Sequence, residues 1–248
     1  MAEITFLGTA NALPNKDHDA SHLLADAGNR LILVDCAGNP VIRLDKAGVD
    51  PLALTDVILT HFHPDHVSGL PLLLLDLMLL GRKDPLNIYG LHEVIDRVTK
   101  LMDLFEWQTW EDSYPVIFHR LPTSERTILI DTDTIKVWSS LMCHAIPSIG
   151  LRMAFPGGTV CYSSDTAPCD ALVRLAEGAD ILIHEATGEG HGHTSPEQAG
   201  EIAKAVGPDK LFLIHYPTGV DLDAWVGRVK STYTGEVIAA QDWMTISI

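Results

Sequence analysis

Four candidate metal ligands lie within six residues of one another, in the segment His61-Phe-His63-Pro-Asp65-His66. The segment directly follows an apolar run typical of a β-strand, and in an extended chain His61 and His63 point to the same side. A turn at Pro64 can then bring Asp65 and His66 towards a second, adjacent metal. Three imidazoles and a carboxylate suit zinc, which binds histidine at ~2.0–2.1 Å and keeps a position open for water in catalytic sites. The segment therefore predicts part of a metal centre rather than a solvated turn that happens to be rich in histidine.

Other apolar runs also end on residues that can bind metal, namely Asp165, His184 with Glu185, and His215. In layered α/β folds the carboxyl ends of strands line the crevice where ligands bind, so distant segments can deliver polar groups to one place. His144 is a further candidate, in a predicted loop. A single histidine at a strand end is more often a hydrogen-bonded boundary residue, and for His184 alone we prefer that interpretation.

The composition describes a chain that can bury a core. Of its 248 residues 46% are hydrophobic and 20% are charged, and no linker divides them, so we expect one domain over residues 1–248. The 17 Lys and Arg against 33 Asp and Glu give a net charge of −16, which argues against a general nucleic-acid binder. Twelve histidines supply metal ligands and acid–base groups in plenty.

Cysteine usage and the apolar stretches predict a cytoplasmic protein that does not enter a membrane. The four cysteines have no C-x-x-C pairing and are interpreted as reduced, mostly buried thiols. No basic segment opens the chain as a secretory signal would. The most apolar stretch, residues 70–80, contains Asp76 and is far shorter than the roughly 20 residues of a membrane span.

Short apolar runs alternate with helical patterns, which predicts an α/β protein with two mixed sheets between helical layers. The strand-like runs are residues 4–7, 31–34, 56–59, 86–89, 135–138, 159–162, 181–183, 211–214 and 237–240. Helices are predicted over residues 40–47, 70–80, 93–104 and 196–206. The last has the clearest start, with Ser195 as N-cap and Gln198 placed for a capping box. Residues 117–162 have the pattern of an antiparallel meander.

Several segments together resemble the metallo-β-lactamase fold superfamily, and in particular its ribonuclease Z-like phosphodiesterase branch. The matching segments are Phe6-Leu-Gly-Thr-Ala, Leu33-Val-Asp35-Cys, Thr60-His-Phe-His-Pro-Asp-His-Val-Ser-Gly-Leu70, Ser163-Ser-Asp165-Thr, His184-Glu-Ala-Thr187 and Gly192-His-Thr-Ser195. They span nearly the whole chain, and His-x-His-x-Asp-His is highly specific for the superfamily. The resemblance implies a four-layer αββα sandwich with a dimetal site on its edge.

The resemblance also implies a ligand set for two divalent metals. One metal would be held by His61, His63 and His144, and the other by Asp65, His66 and His215. Asp165 would bridge the two. Asp35 would orient the metal-binding histidines from behind, with His184 as a further neighbour of the site. Zinc is the expected metal, although manganese or iron tolerates these ligands.

Glu185 and His193 favour phosphodiester chemistry. Two metals ~3.5–4 Å apart can share a hydroxide that attacks phosphorus, and they can stabilise the leaving oxygen. In the ribonuclease Z branch, the histidine of a Gly-His-Ser/Thr segment protonates that oxygen and the acid of His-Glu-Ala-Thr pairs with it. By this resemblance His193 is the general acid, Glu185 is the carboxylate that orients it and raises its pKa, and Asp65 completes the catalytic set.

Departures from the pattern of the branch favour a small or cyclic nucleotide-type substrate over transfer RNA. Members that process transfer RNA carry a long flexible arm between the third and fourth metal motifs, whereas only residues 145–164 separate His144 from Asp165. The segment 11–18 lacks the usual Arg-Asn pair, and Cys36-Ala-Gly-Asn39 replaces a Gly-Glu-Gly-Thr run. A long nucleic acid is further disfavoured by the acidic charge, and the resemblance suggests a homodimer.

Two alternatives remain open. The same metals could serve a hydrolase of lactones, thioesters or similar carbonyl substrates, in which Glu185 and His193 would be structural. A noncatalytic metal-binding protein is disfavoured, because the ligand set is complete.

Overall fold

The computed structural model describes residues 2–248, which form two seven-stranded mixed sheets packed together between helices. The strands are β1 (Glu3–Gly8), β2 (His22–Asp26), β3 (Leu31–Val34), β4 (Asp56–Ile58), β5 (Leu86–Leu91), β6 (Val116–Leu121), β7 (Thr127–Asp131), β8 (Lys136–Met142), β9 (Ser148–Phe155), β10 (Gly158–Tyr162), β11 (Ile181–Glu185), β12 (Lys210–Ile214), β13 (Glu236–Ala239) and β14 (Thr245–Ser247). Each of the nine predicted strand runs overlaps one of these strands. The predicted α/β class with two mixed sheets is confirmed.

The first sheet has the order β14-β1-β2-β3-β4-β5-β6, and its strands from β3 to β6 are parallel. The second sheet has the order β13-β12-β11-β10-β9-β8-β7, in which β10 to β13 are parallel and β7 to β10 form an antiparallel meander. The carboxyl ends of β4, β10, β11 and β12 therefore stand next to the candidate ligands of the sequence.

The meander expected over residues 117–162 is partly wrong. Its first strand, β6, belongs to the first sheet and runs parallel to β5. The reason is the helix α4 (His92–Asp103), which lies between the two strands in the chain and packs on both. A strand, a crossover helix and a second strand make a parallel pair, so the meander begins only at β7.

The other helices are α1 (Pro40–Lys46), α2 (Pro64–Val67), α3 (Leu70–Leu79), α5 (Asp170–Ala176), α6 (Pro196–Val206) and α7 (Leu222–Lys230). The four predicted helices correspond to α1, α3, α4 and α6, and the capping box between Ser195 and Gln198 is present in both directions. The sequence patterns did not predict α2, α5 and α7. For α7 a local signal existed, because the Asp221 side chain accepts from the backbone N–H groups of Asp223 and Ala224 as an N-cap.

Two clusters of buried side chains hold the layers together. One joins the facing sides of the sheets, where the rings of Phe6 and Phe212 lie 5.6 Å apart. The other lies between the second sheet and helices α5, α6 and α7. Each fully buried aliphatic or aromatic side chain contributes about 1.5–3 kcal/mol, so these clusters fix the sheets that carry the site.

All four cysteines are free thiols, but only Cys36 and Cys161 are buried. Cys143 is exposed and Cys169 is half-buried, so the expectation of mostly buried thiols holds for two of the four. Both lie close to candidate ligands in the chain, Cys143 directly before His144 and Cys169 four residues after Asp165. Among residues 2–248, the helices are all too short or too polar to cross a membrane.

Candidate metal centre

A first group of donor atoms joins the two sheets. His61 and His63 follow β4 of the first sheet, and His144 follows β8 of the second. The Nε2 atoms of His61 and His144 each lie 3.1 Å from Nδ1 of His63. Together with a carboxylate oxygen of Asp165, these nitrogens all lie within 4.8 Å of one another. The structure thus brings together the first predicted ligand set.

A second group contains Asp65, His66 and His215. Asp65 and His66 are carried by α2, a single helical turn opened by Pro64, where the sequence indicated only a turn. The Oδ2 atom of Asp65 lies 3.4 Å from Nε2 of His215 and 3.5 Å from Nε2 of His66. His215 follows β12, so this group also spans both sheets.

Asp165 lies between the two groups and is 2% exposed. Its Oδ2 atom is 3.7 Å from Nε2 of His61 and 3.6 Å from Nε2 of His66, and its Oδ1 atom is 3.5 Å from Nε2 of His215. One carboxylate therefore faces donor atoms of both groups, as the bridging position implied by the resemblance requires.

The chemistry of these side chains fits divalent cations. Nε2 of His66 and Oδ1 of Asp165 are buried and have no hydrogen-bond partner within the described part of the chain. Burial lowers the pKa of His61 and of His63, so both are neutral imidazoles with a free lone pair. For Asp165, burial alone would raise the pKa, but His215 and His66 outweigh it and keep the group a carboxylate. Neutral imidazoles such as those of His61 and His63, beside a carboxylate, are what zinc and similar ions bind.

Asp35 lies behind both groups and is fully buried. It accepts a hydrogen bond from Nδ1 of His66 at 2.8 Å, from the backbone N–H of Thr60 at 2.8 Å and from the Thr60 hydroxyl at 2.9 Å. Its φ of 63° is left-handed, a conformation that aspartate tolerates better than most residues. The geometry is that of a carboxylate that orients a metal-binding histidine.

Glu185 holds the ring of His193 beside the two groups. Its Oε1 atom accepts from Nδ1 of His193 at 2.9 Å and from the backbone N–H of Thr166 at 3.1 Å, and its Oε2 atom accepts from the N–H of Thr187 at 2.9 Å. The hydrogen bond to Glu185 raises the pKa of His193. The side chain of His193 is 22% exposed, whereas the side chain of Glu185 is wholly buried. Donor atoms of His193, Asp165 and His215 lie within 4.8 Å of one another. The pair can therefore deliver a proton next to the candidate metal ligands.

Three residues without a predicted role also contact the ligands. The hydroxyls of Thr60 and Thr187 lie 3.0 Å and 2.8 Å from Nδ1 of His61 and His215, and the carbonyl of Gly192 accepts from Nδ1 of His144 at 2.7 Å. A signal was available for all three, because they stand inside the matching segments 60–70, 184–187 and 192–195.

His184 does not reach the donor atoms. Side chains alternate along a strand, so His184 points to the opposite face of β11 from Glu185. Its neighbour in register on β12, Leu213, belongs to the cluster beneath the helices. The ring is fully buried, with Nδ1 donating to the carbonyl of Glu185 at 2.7 Å. The expectation that His184 neighbours the ligands is therefore corrected, and the preferred interpretation of a boundary residue fits.

We expect the burial of His184 to make the protein less stable in acid. Burial lowers its pKa in the folded state, whereas in the unfolded chain the pKa is about 6.5. The folded state thus binds fewer protons, so this contribution to stability is complete above about pH 6.5 and is lost as the pH falls below it. In His184→Gln, the free energy of unfolding of the chelator-treated protein should fall less steeply between about pH 7.5 and 5.5, by up to about 1.4 kcal/mol per pH unit.

Urea denaturation at each pH measures this slope. The matched control is His92→Gln, because His92 is exposed. Its curve should run parallel to that of the wild type. Parallel curves for both variants would show that His184 does not carry the acid sensitivity.

Comparison with known proteins agrees with this geometry. A family model described as the Beta-lactamase superfamily domain matches residues 26–216, a range that contains every candidate ligand. Ribonuclease Z of Methanothermobacter thermautotrophicus is 28% identical, with 88% of this chain and 87% of that protein covered. The crystal structure of human tRNase Z, short form, is 28% identical with a TM-score of 0.81 and 99% of both chains covered. The metallo-beta-lactamase fold protein YhfI from Bacillus subtilis is 24% identical with a TM-score of 0.82, covering 99% of this chain and 98% of its own, and shows the same fold.

Proposed function

Since the chain belongs to the beta-lactamase superfamily, we propose that it is a metal-dependent phosphodiesterase for small or cyclic nucleotide-type substrates. Its fold and its homology to ribonuclease Z make it a metallo-β-lactamase-fold hydrolase. The narrower assignment is carried by one observation, the hydrogen bond of 2.9 Å between His193 and Glu185 beside the donor groups. Cleavage of a phosphodiester expels an oxygen leaving group, and a proton donor at this place can protonate that oxygen.

Two divalent cations, with zinc the expected metal, would be held by His61, His63, His144, Asp65, His66, His215 and the bridging Asp165. Bound there, they would lower the pKa of water and offset the negative charge of the phosphate. Asp35 orients His66 from behind and supports Thr60.

The protein's own contribution to bond breaking is a proton. Because Nδ1 of His193 is tied to Glu185, Nε2 is the nitrogen left to face the substrate. Glu185 raises the pKa of His193 and so favours the protonated ring. Nε2–H can then protonate the leaving alkoxide, a step that contributes about 10²–10⁴-fold to the rate of such reactions. The buried backbone donors on Glu185 keep its carboxylate from turning away.

The segment between two ligands supports a small substrate. Within residues 145–164, β9 and β10 are joined through Pro156 and Gly157, and the described chain has no arm at this place. The net charge of −16 adds repulsion against a long polyanion. The names of the relatives point instead to RNA, so transfer RNA is the competing substrate in the test below.

A substrate panel tests the proposal. The protein loaded with zinc or manganese is assayed on cyclic nucleotides, bis(p-nitrophenyl) phosphate, a precursor transfer RNA and a lactone. We expect turnover of the small phosphodiesters, with kcat/KM at least about tenfold above that for RNA. Preference for RNA would contradict the substrate size, and opening of the lactone alone would contradict the phosphodiesterase. Asp165→Ala, which removes the shared carboxylate, is the control against a contaminating enzyme.

On the basis of the resemblance to ribonuclease Z, we also propose that the protein is a cytoplasmic homodimer. An apolar surface on α3 supports an interface, because Leu72 and Leu79 are 45% and 71% exposed. Light scattering after size exclusion should give twice the mass of 27.1 kDa. A monomer at micromolar concentration would contradict it.

A further inference from the structure

Two threonine hydroxyls occupy equivalent places behind the two groups of donor atoms. Thr60 contacts Nδ1 of His61 at 3.0 Å, and Thr187 contacts Nδ1 of His215 at 2.8 Å. In each histidine Nδ1 is the nitrogen remote from the other ligands, while Nε2 faces them. Each group therefore contains one imidazole whose Nδ1 atom contacts a threonine hydroxyl.

The hydrogen bonds of Thr60 decide the tautomer of His61. A hydroxyl has one hydrogen to donate, and that of Thr60 lies 2.9 Å from both carboxylate oxygens of Asp35, which can only accept. The hydroxyl hydrogen therefore goes to Asp35, and the oxygen accepts the Nδ1–H of His61. Nε2 is then the bare nitrogen, 3.1 Å from Nδ1 of His63.

Thr187 reaches the same result with a different acceptor. Its hydroxyl lies 2.9 Å from the backbone carbonyl of His215, which can only accept, so the oxygen is again left to accept Nδ1–H. Nε2 of His215 is bare and faces Oδ2 of Asp65 at 3.4 Å and Oδ1 of Asp165 at 3.5 Å.

The same hydroxyl also holds the backbone of His215 in place. His215 has a φ of 56°, in the left-handed region that is unfavourable for a residue with a side chain. Its carbonyl accepts from Thr187, and its N–H donates to the carbonyl of Thr9 at 2.8 Å. Thr187 thus fixes both the backbone and the ring of this ligand.

We propose that Thr60 and Thr187 are positioning residues, each of which sets the tautomer of one histidine and thereby the metal affinity of one of the two positions. Thr60 would act on the position of His61, His63 and His144, and Thr187 on that of Asp65, His66 and His215. The inference rests on the metal centre of the proposed function and not on its substrate.

Valine and serine variants separate the hydroxyl from the rest of the side chain. Valine keeps the shape of threonine but offers no acceptor, so Nδ1–H is left unpaired or the proton moves to Nε2, where it blocks metal binding. Serine keeps the hydroxyl. Loss of such an orienting contact typically weakens metal affinity about 10–100-fold.

The experiment is a titration of the metal-free protein with zinc against a competing chelator, which resolves two dissociation constants. Thr60→Val should weaken one of them by about 10–100-fold and Thr187→Val the other. Thr187→Val should leave its second constant within about threefold, whereas Thr60→Val also removes a donor from Asp35, which orients His66, and should weaken its second constant less than its first. The double variant should weaken both, because the two contacts share no residue. Both serine variants should stay within about threefold of the wild type.

The proposal is overturned if either valine variant leaves both constants unchanged, or if serine fails as completely as valine. Should a valine variant not fold, long-range proton–nitrogen NMR of the metal-free wild type decides. His61 and His215 should then carry the proton on Nδ1, and a proton on Nε2 of either would also overturn the idea. Since no substrate is present, failure here leaves the phosphodiesterase proposal intact, and inactivity on phosphodiesters leaves this one intact.

Discussion

Replacing His193 by alanine should lower kcat/KM by about 10²–10⁴-fold on a phosphodiester with a poor leaving group, such as a cyclic nucleotide. The leaving alkoxide of such a substrate needs a proton, and the ring tied to Glu185 at 2.9 Å is placed to give it. A nitrophenolate leaves without a proton, so the loss on bis(p-nitrophenyl) phosphate should be far smaller. Steady-state kinetics on the two substrates measures the difference.

Two further variants sharpen this experiment. In Glu185→Gln the carboxylate that raises the pKa of His193 is gone, so the alkaline limb of the rate profile should move to lower pH. His191→Ala changes an exposed histidine of the same loop and should keep full activity. Equal losses on both substrates in His193→Ala would remove the general-acid role and favour a structural pair.

Gly192→Ala should damage metal binding and catalysis together. The glycine has a φ of 84°, and an added Cβ would stand 2.7 Å from the backbone nitrogen of Ala145 and 2.9 Å from Nδ1 of His144. Its carbonyl also accepts the hydrogen bond of His144 at 2.7 Å, and the next residue is His193. A methyl group must therefore displace the ring of His144 and strain the backbone that leads into His193. We expect kcat/KM to fall by about 10²-fold or more, since a shift of about 1 Å has that effect.

Bound metal per chain, measured by atomic emission after dialysis, should fall below two in this variant. Gly190→Ala is the matched control in the same loop. Its added Cβ would meet only the edge of the His193 ring, at 4.0 Å, and its backbone is not left-handed. Both activity and metal content should stay within about twofold of the wild type. Full metal and full activity in Gly192→Ala would contradict the coupling between His144 and His193.

The positions of the candidate ligands in the segment 61–66 were predictable because they depend on local rules. A polar residue after an apolar run marks the end of a strand. The alternation of side chains in an extended segment then places His61 and His63 on the same side of the chain. The same rule explains the error at His184, since a one-residue step along β11 decides which of His184 and Glu185 faces the site. Nothing in the run Ile-Leu-Ile-His-Glu says which face is which until the neighbouring strands are paired.

Other features depend on contacts that the sequence does not encode locally. The partner of β6 follows from the packing of α4, and so the start of the meander was misplaced. The contacts of Thr60 and Thr187 could not be predicted from the sequence, because each lies on the side of an imidazole ring that faces away from the other candidate ligands. His215 also has a left-handed backbone, which its residue type alone does not predict.

Both groups of donor atoms draw on both sheets, and this has a consequence for the lifetime of the folded molecule. An ion shared by His61 and His144, or by Asp65 and His215, would tie segments together that are far apart in the chain. Such ties require the two sheets to be docked, and we expect them to form after the folding transition state. Interactions of that kind slow unfolding and leave the rate of folding almost unchanged. Metal supply would therefore govern how long a molecule survives heat or proteolysis, while an ion-starved chain would still fold at its usual speed.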